Sequence, residues 1–514
     1  MTRDHKGTAA PLATPVAFPE VAFRHAISII DGTSSSTDIA AMVHAWATKS
    51  GARQPGRPSN LSLRSFLIVW LAHEIAQEST QLPHMAHTLA TRVDQELRTM
   101  IGLPEQRAGA DLLYHRLHHT EQLLLSVVDP QPPAGTAEKA ARQADHVDDL
   151  MSALVANAAL SSPKFRQSFQ GDAALQSGFI PVSDATAKPE QDRMREAGPY
   201  SRSDGAAVHR GHRLEKLPVQ FGFETALLTA TLGDTIEDGC LILGLGLHRP
   251  GHIKDTASTL LTHYANLGLP TRTLIVERQY GCLPANHFYE IAHQQQWQLV
   301  REYSPDELGI QHAYTSGLTP TNWQLRRDFP SEMNDFILVE GTWYLHFMPA
   351  RLITAVRDHL LDPDNPNWID EDQLTERLVR RRKYQLRPTG SADRHGHRRY
   401  RLPNPAEYLA VDPATGEILD KPKAKTVTIP DSEGIRWRQP FAYRSPQWHT
   451  AHRLLTHRRR WQKTFDSGLL VGGRKARNGG YASTAIAFAM AAAAHNVHTI
   501  ERSPHSALRK EVQR

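Results

Sequence analysis

Two acidic residues close short apolar runs that read as β-strands. Asp184 ends Phe179-Ile180-Pro181-Val182-Ser183, and Glu277 follows Thr271–Val276. Strand ends bring carboxylates from distant sequence to one sheet edge, and hard oxygen ligands there suit two Mg2+ ions. One ion would activate the attacking hydroxyl or water, and the other would stabilise the leaving oxygen of an in-line phosphoryl displacement. An acid at a strand end is also a common solvated turn residue, so residue type alone leaves both readings open. A second chemistry is cationic. Between Leu374 and Leu402, Arg377, Arg380, Arg381, Arg382, Lys383, Arg387, Arg394, Arg398, Arg399 and Arg401 face only Glu376 and Asp393. Between Arg436 and Lys463 eight cations, Arg458, Arg459 and Arg460 among them, meet no acid and are interspersed with Trp437, Trp448 and Trp461. Such runs neutralise phosphates by counterion release, and the indoles offer stacking or wedge surfaces. The alternative is a solvated, charged loop.

Other chemistry-bearing patterns are weaker. His115, His118 and His119 share a helix at metal-capable spacing but have no carboxylate at a helpful offset, so they read as exposed histidines. The run Gly244-Leu245-Gly246-Leu247-His248-Arg249-Pro250-Gly251 matches neither a dinucleotide fingerprint nor a phosphate loop and reads as a strand end and turn.

Positioning the two acids takes an α/β scaffold. Strands are predicted at 179–184, 221–232 and 240–247, then a helix at 253–267, a strand at 271–276, a helix at 285–296 and a strand at 298–303. Three strands, helix, strand, with acids closing the first and fourth strands, is the layout of a ribonuclease H-like fold. It predicts that the first three strands are antiparallel, that the fourth runs parallel to the first, and that Asp184 and Glu277 lie within about 8 Å of each other. Ahead of this unit, residues 1–20 are expected to be disordered and 21–128 to form a helical domain, suited to packing, dimerisation or DNA binding. Its clearest helix spans 61–76, with Ser62 as cap and Leu63, Phe66, Leu67, Trp70 and Leu71 on one buried face. Helices at 82–98 and 111–127 follow. A linker is expected at 129–144 and the first part of the ribonuclease H-like domain at 145–334. A basic β-containing insertion follows at 335–446, holding a hairpin at 335–347, an acidic helix at 370–382 and a strand at 426–429. The last helices of the split domain occupy 447–500, as a helix at 447–470 and an Ala-rich helix at 481–499, before a tail at 501–514.

Several strings, in this order, resemble the DDE transposases of bacterial insertion sequences, in the subgroup with a β-strand insertion before the last catalytic helix. Pro181-Val182-Ser183-Asp184-Ala185-Thr186 resembles the first-aspartate segment, and Phe221-Gly222-Phe223-Glu224-Thr225-Ala226-Leu227 the second strand. Leu274-Ile275-Val276-Glu277-Arg278-Gln279-Tyr280-Gly281 is similar to the segment bearing the second carboxylate. Asp306–Gln311, Gly341-Thr342-Trp343-Tyr344 and Met348-Pro349 resemble the insertion, and Asn478-Gly479-Gly480 with His495-Asn496-Val497 the family's finish. The resemblance implies a transposase whose Asp184 and Glu277 hold Mg2+ at transposon ends in double-stranded DNA and catalyse hydrolysis and strand transfer. It also allows a homodimer. The sequence departs from the family at two acids. Glu277 stands where the family has Asp, and Gln462 or Lys463 stands where the basic helix should carry the catalytic Glu, leaving Asp466, one turn on, as the third acid. A catalytically degenerate, transposase-derived DNA-binding protein is therefore the alternative.

Composition bounds these readings. The 514 residues are 40% apolar and 22% charged, enough for several domains with a sizeable core. Cys240 and Cys282 can make at most one disulfide, which excludes a disulfide framework or a cysteine-based zinc module. Lys and Arg outnumber Asp and Glu by 59 to 54, and 45 of those cations are Arg, which fits bidentate phosphate contacts or a GC-rich genome's codon bias. Bias alone would leave an unrelated α/β protein. The run Ala485–Ala494 is too short for a bilayer, so no membrane partner and a cytoplasmic, nucleoid-associated location are expected.

Overall fold

The computed structural model describes residues 16–32, 36–50, 61–103, 108–129, 137–181, 198–200, 220–231, 239–315, 336–390, 392–404, 425–453 and 481–502. It is a mixed α/β structure. Six helices come first: α1 (Glu20–Asp31), α2 (Ile39–Lys49), α3 (Leu63–Ile75), α4 (Leu82–Thr91), α5 (Gln95–Met100) and α6 (Ala110–Val128). The side chains of Asp38, Ser62 and Asp94 cap α2, α3 and α5 by accepting from the N–H groups of Ala41, Ser65 and Leu97. Asp94 is why the single helix expected at 82–98 is two. It satisfies the amides of a new helix start and so ends the old one. Only Arg64 of α3 escapes burial, so this helix is buried all round and sits at the centre of the helical layer instead of burying one face.

The long α7 (Ala137–Leu160) overturns part of the linker expectation, because residues 137–144 belong to it. Glu138-Lys139-Ala140-Ala141-Arg142 are strong helix formers, and their polarity marks an exposed first turn. A short α8 (Pro163–Ser168) leads into the main sheet, made of β1 (Ala173–Pro181), β2 (Gly198–Tyr200), β3 (Gln220–Thr231), β4 (Cys240–His248), β5 (Thr273–Val276) and β6 (Gln298–Arg301). Its order is β4-β3-β1-β5-β6, with β2 paired to the start of β3. β1 and β4 run antiparallel to β3 and β5 is parallel to β1, the directions expected from the sequence, and β6 adds a further strand parallel to β5. β1 begins six residues earlier than predicted, in Ala173-Ala174-Leu175, and Val182, Ser183 and Asp184 lie outside the described residues. Between the strands come α9 (Ile253–Asn266) and α10 (Tyr289–Gln294). The latter is shorter than the predicted helix because a 3-10 turn takes Ala285–His287.

Beyond β6, an antiparallel sheet joins β7 (Ile310–Tyr314), β8 (Phe336–Val339) and β9 (Thr342–Leu345). Glu340 and Gly341, both at positive φ (46° and 86°), make the tight turn of the expected hairpin. Then follow α11 (Ala350–Ile353), α12 (Ala355–His359), α13 (Glu371–Arg381, capped by Asp370) and a second small sheet of β10 (Arg387–Pro388), β11 (His397–Arg401) and β12 (Thr426–Pro430). Residues 446–453 are helical; the rest of the helix predicted at 447–470 lies outside the described residues. The last element, α14 (Tyr481–Arg502), matches the Ala-rich helix and runs slightly further.

Both faces of the main sheet are covered. Leu175, Ala226, Leu228 and Val276 pack with Leu260, Leu261 and Tyr264 of α9. On the opposite face Phe223, Leu227, Ile242, Leu245 and Leu247 share one core with α7, α14 and the N-terminal helices. The helical layer is thus continuous with the sheet. Asn496 of α14 secures this junction. It bonds the N–H and C=O of Ile242 on the outer edge of β4 and the carbonyl of Val155 on α7, so a buried amide covers an edge strand. Near β5 and β6, Ile275 and Val300 are covered by Tyr443, Trp448 and Ala355.

Candidate functional site

Glu277 stands directly after β5, where the parallel pairing with β1 sets its neighbour. Its N–H donates to the carbonyl of Leu175, and its carboxylate accepts from the N–H (2.8 Å) and Oγ (2.6 Å) of Ser177. The β1 residue beside Glu277 is therefore a serine. Asp184 and Asp466, the other acids of the predicted triad, lie outside the described residues, as do Gln462 and Lys463.

A second acid converges on this edge from β3. Glu224 is opposite Phe179 of β1 and His248 of β4, is buried, and accepts from the Gly251 N–H (3.0 Å). Burial raises its pKa, opposed by the bonds from Gly251 and Gln279, and the nearby Glu277 charge raises it further. The two carboxylates thus sense one another. His248 lies with Nδ1 3.9 Å from Glu224 and donates it to the Arg249 carbonyl, while burial lowers its pKa to about 4, keeping the ring neutral. Tyr280 is fully buried, donates its hydroxyl to the Gln176 carbonyl, and has its pKa pushed well up by burial and by both glutamates. The edge therefore holds two interacting carboxylates, one inclined to keep its proton. Two such neighbouring acids can attract a cation. Yet Glu277 is already satisfied by Ser177, and among the described residues the edge supplies no third close ligand.

The predicted cations divide. Arg381 is buried, with its guanidinium 2.5 and 2.8 Å from Glu340 Oε2 and its Nε donating to the Leu352 carbonyl. A phosphate contact for Arg381 is thereby corrected: its charge is spent in the interior, where it neutralises an acid at the β8–β9 turn. Arg398 is tied to Asp431, which also holds Arg438, and Arg380 pairs with Glu376 one helical turn away. Arg382, Lys383 and Arg399 are exposed. Arg458, Arg459 and Arg460 lie outside the described residues. Trp448 is buried and donates Nε1 to Gln439, and Trp437 stacks with Arg301 and Arg436 at 5.3 and 4.6 Å, so these two indoles serve packing. Trp461 is outside the described residues.

What the runs concealed is a sheet face. On β11, Arg399 and Arg401 alternate with the buried Tyr400, and Arg401 is directly opposite Arg387 of β10. The same pleat turns Thr426 and Thr428 of β12 outward, while Tyr400, Val427 and Ile429 join the core beneath. Period-two alternation was the available signal, clean in Thr426–Pro430 but interrupted on β11, where Arg398 shares the face of Tyr400. Like charges directly opposite across a ladder repel. Among the described residues Arg387, Arg399 and Arg401 have no ion-pair partner. Beside this sheet a cavity of about 290 Å³ is lined by Tyr289, His293, Trp343, Tyr400, Arg398 and Arg438.

Two other clusters carry chemistry-bearing groups. Ser152 Oγ lies 2.5 Å from His263 Nδ1, and His263 Nε2 lies 3.2 Å from Asp149. Ser152 sits within α7, where the backbone amides are used by the helix and so do not serve as oxyanion donors beside it. The second cluster, His73, Glu78 and His84, is a grouping that the sequence reading missed, because its members are split between two helices and a turn. Comparisons with protein-family models, with curated proteins and with solved structures find no match.

Proposed function

We propose that this chain is a transposase-like DNA-binding protein with a ribonuclease H-like core, split by the basic β-containing insertion and catalytically degenerate at its acidic edge. One observation carries the proposal: the order β4-β3-β1-β5-β6, antiparallel then parallel, with Glu277 at the end of the fourth strand of that core. DNA as the partner is supported by Arg387, Arg399 and Arg401 on one outward face, where a line of phosphates would relieve their mutual repulsion. Degeneracy is supported by Ser177 beside Glu277. A hydroxyl and an amide hold the carboxylate that two Mg2+ ions would need, and a serine is a poor substitute for an anionic ligand.

Glu224 favours a second reading, in which the edge is active. Asp184, Glu277 and Asp466 would then hold Mg2+ for hydrolysis and strand transfer at transposon ends, with Glu224 adding a carboxylate close to Glu277. The test of DNA binding is an equilibrium titration of a fluorescent duplex at several salt concentrations. Affinity should fall steeply and log-linearly with salt for every duplex sequence tried. Absence of binding at low salt would overturn the proposal.

A further inference from the structure

The turn between α3 and α4 gathers three metal-ligating side chains that play no part in the acidic edge or the basic sheet. His73 lies in the last turn of α3, His84 in the first turn of α4, and Glu78 in the connection, where Gln77 adopts φ 56°. One ligand atom from each lies within 4.8 Å of the other two. His84 Nε2 is 3.2 Å from Glu78 Oε2, and Arg92 grips the same carboxylate with two bonds of 2.8 Å, fixing its orientation.

His73 points to a ligand. It is completely buried, and its Nδ1 lies 2.8 Å from the Val69 carbonyl, which can only accept. That bond sets the tautomer: Nδ1 carries the proton, and Nε2 presents a bare lone pair. Nε2 has no hydrogen-bond partner among the described residues. A buried polar atom left in this state destabilises the fold, so an apolar residue would be the better occupant if the ring served packing alone. Burial also lowers the pKa of His73 to about 4, which keeps it a neutral ligand under ordinary conditions. Phe18 packs against the His73 ring at 4.8 Å in a tilted arrangement, whereas His84 is 40% exposed.

We propose that His73, Glu78 and His84 bind a divalent transition-metal ion of the zinc type. Two imidazole nitrogens and one carboxylate oxygen match the preference of Zn2+ and its neighbours, whereas Mg2+ and Ca2+ prefer oxygen alone. Donors about 2.0–2.2 Å from a tetrahedral ion lie about 3.4 Å apart; His84 and Glu78 already meet at 3.2 Å, and with every separation within 4.8 Å it is the approach of this pair to His73 that a bound ion would tighten. His84, being partly exposed, has the room to move. His84 would ligate through Nε2 as a neutral imidazole with its proton on Nδ1, the Nε2 proton that now faces Glu78 passing to solvent. Arg92 would remain as the outer partner of the carboxylate, and the fourth position would be open to water. The ion would clamp the α3–α4 corner, and this inference is independent of DNA binding.

The experiment uses the untagged full chain, stripped with a chelator and desalted. Zn2+ is titrated calorimetrically and by competition with a chromophoric chelator, and Co2+ is followed through its visible d–d absorption. The wild type should bind one tightly held Zn2+ per chain, give the intense Co2+ bands of a four-coordinate site, and melt at higher temperature with Zn2+ present. His84→Ala and Glu78→Gln, each checked for native circular dichroism, should lose that equivalent, those bands and the Zn2+-dependent rise in Tm. His84→Gln serves in place of His84→Ala if the latter misfolds. Equal Zn2+ binding by wild type and variants would assign the metal to other histidines and overturn the proposal. So would no binding by the wild type, or Mg2+ binding as tightly as Zn2+.

Discussion

Replacing Arg387, Arg399 and Arg401 together with Gln should weaken DNA binding without removing stability. The three side chains project from the outer face of β10 and β11, and Arg387 and Arg401 are direct cross-strand neighbours. Each phosphate contact contributes about 0.9 to the slope of log affinity against log salt, so three lost contacts should flatten the slope by about 2.7. Over a rise from about 50 to about 200 mM salt, the wild type should then lose about fortyfold more affinity than the triple variant. Relief of the Arg387–Arg401 repulsion should leave Tm unchanged or slightly higher. Fluorescence anisotropy on one labelled duplex across a salt series, beside thermal melts, measures both quantities. An unchanged slope in a well-folded variant would refute the assignment of phosphate contacts to this face.

The other predictions test the interior. Arg381→Ala should destabilise the protein by about 3–5 kcal/mol in denaturant titrations, because it strands the buried Glu340 charge, whereas Arg382→Ala should fall within about 0.5 kcal/mol of wild type. Similar stabilities for the two would contradict the buried pair. Glu224→Gln should become progressively more stable than wild type as pH rises. Burial raises the folded pKa of Glu224, so its stabilising contribution is complete below the unfolded carboxylate value of about 4.3 and is lost as pH passes through the raised one. Thermal melts of both proteins from about pH 4 to about pH 8 report this; a pH-independent difference would show that Glu224 titrates as an ordinary carboxylate.

How far such features were legible follows from what each depends on. The fourth core strand, Thr273–Val276, was readable because a buried parallel strand is a continuous apolar run, and α3 because Ser62 precedes an apolar stretch. The start of β1 was not, since Ala173-Ala174-Leu175-Gln176-Ser177-Gly178 is too small and polar to announce a strand; its place comes from pairing with β3 and β5. Arg381 looks like its neighbours in an arginine run, and only the helix phase that turns it toward Glu340 sets it apart. Glu224 had a faint signal, an acid inside an otherwise apolar strand that the strand's ends did not need. His73, Glu78 and His84 match no compact spacing, because the approach of α3 and α4 creates the cluster.

The proposed combination of DNA binding with lost catalysis is tested most directly by supercoiled plasmid incubated with Mg2+ or Mn2+ at protein concentrations that fully shift its mobility. The products are resolved after the protein is digested away. The plasmid should be bound yet remain supercoiled, because Ser177 holds Glu277 where metal ligands are required. Nicked or linear DNA that disappears in Glu277→Ala would contradict degeneracy and establish the acidic edge as a working active site.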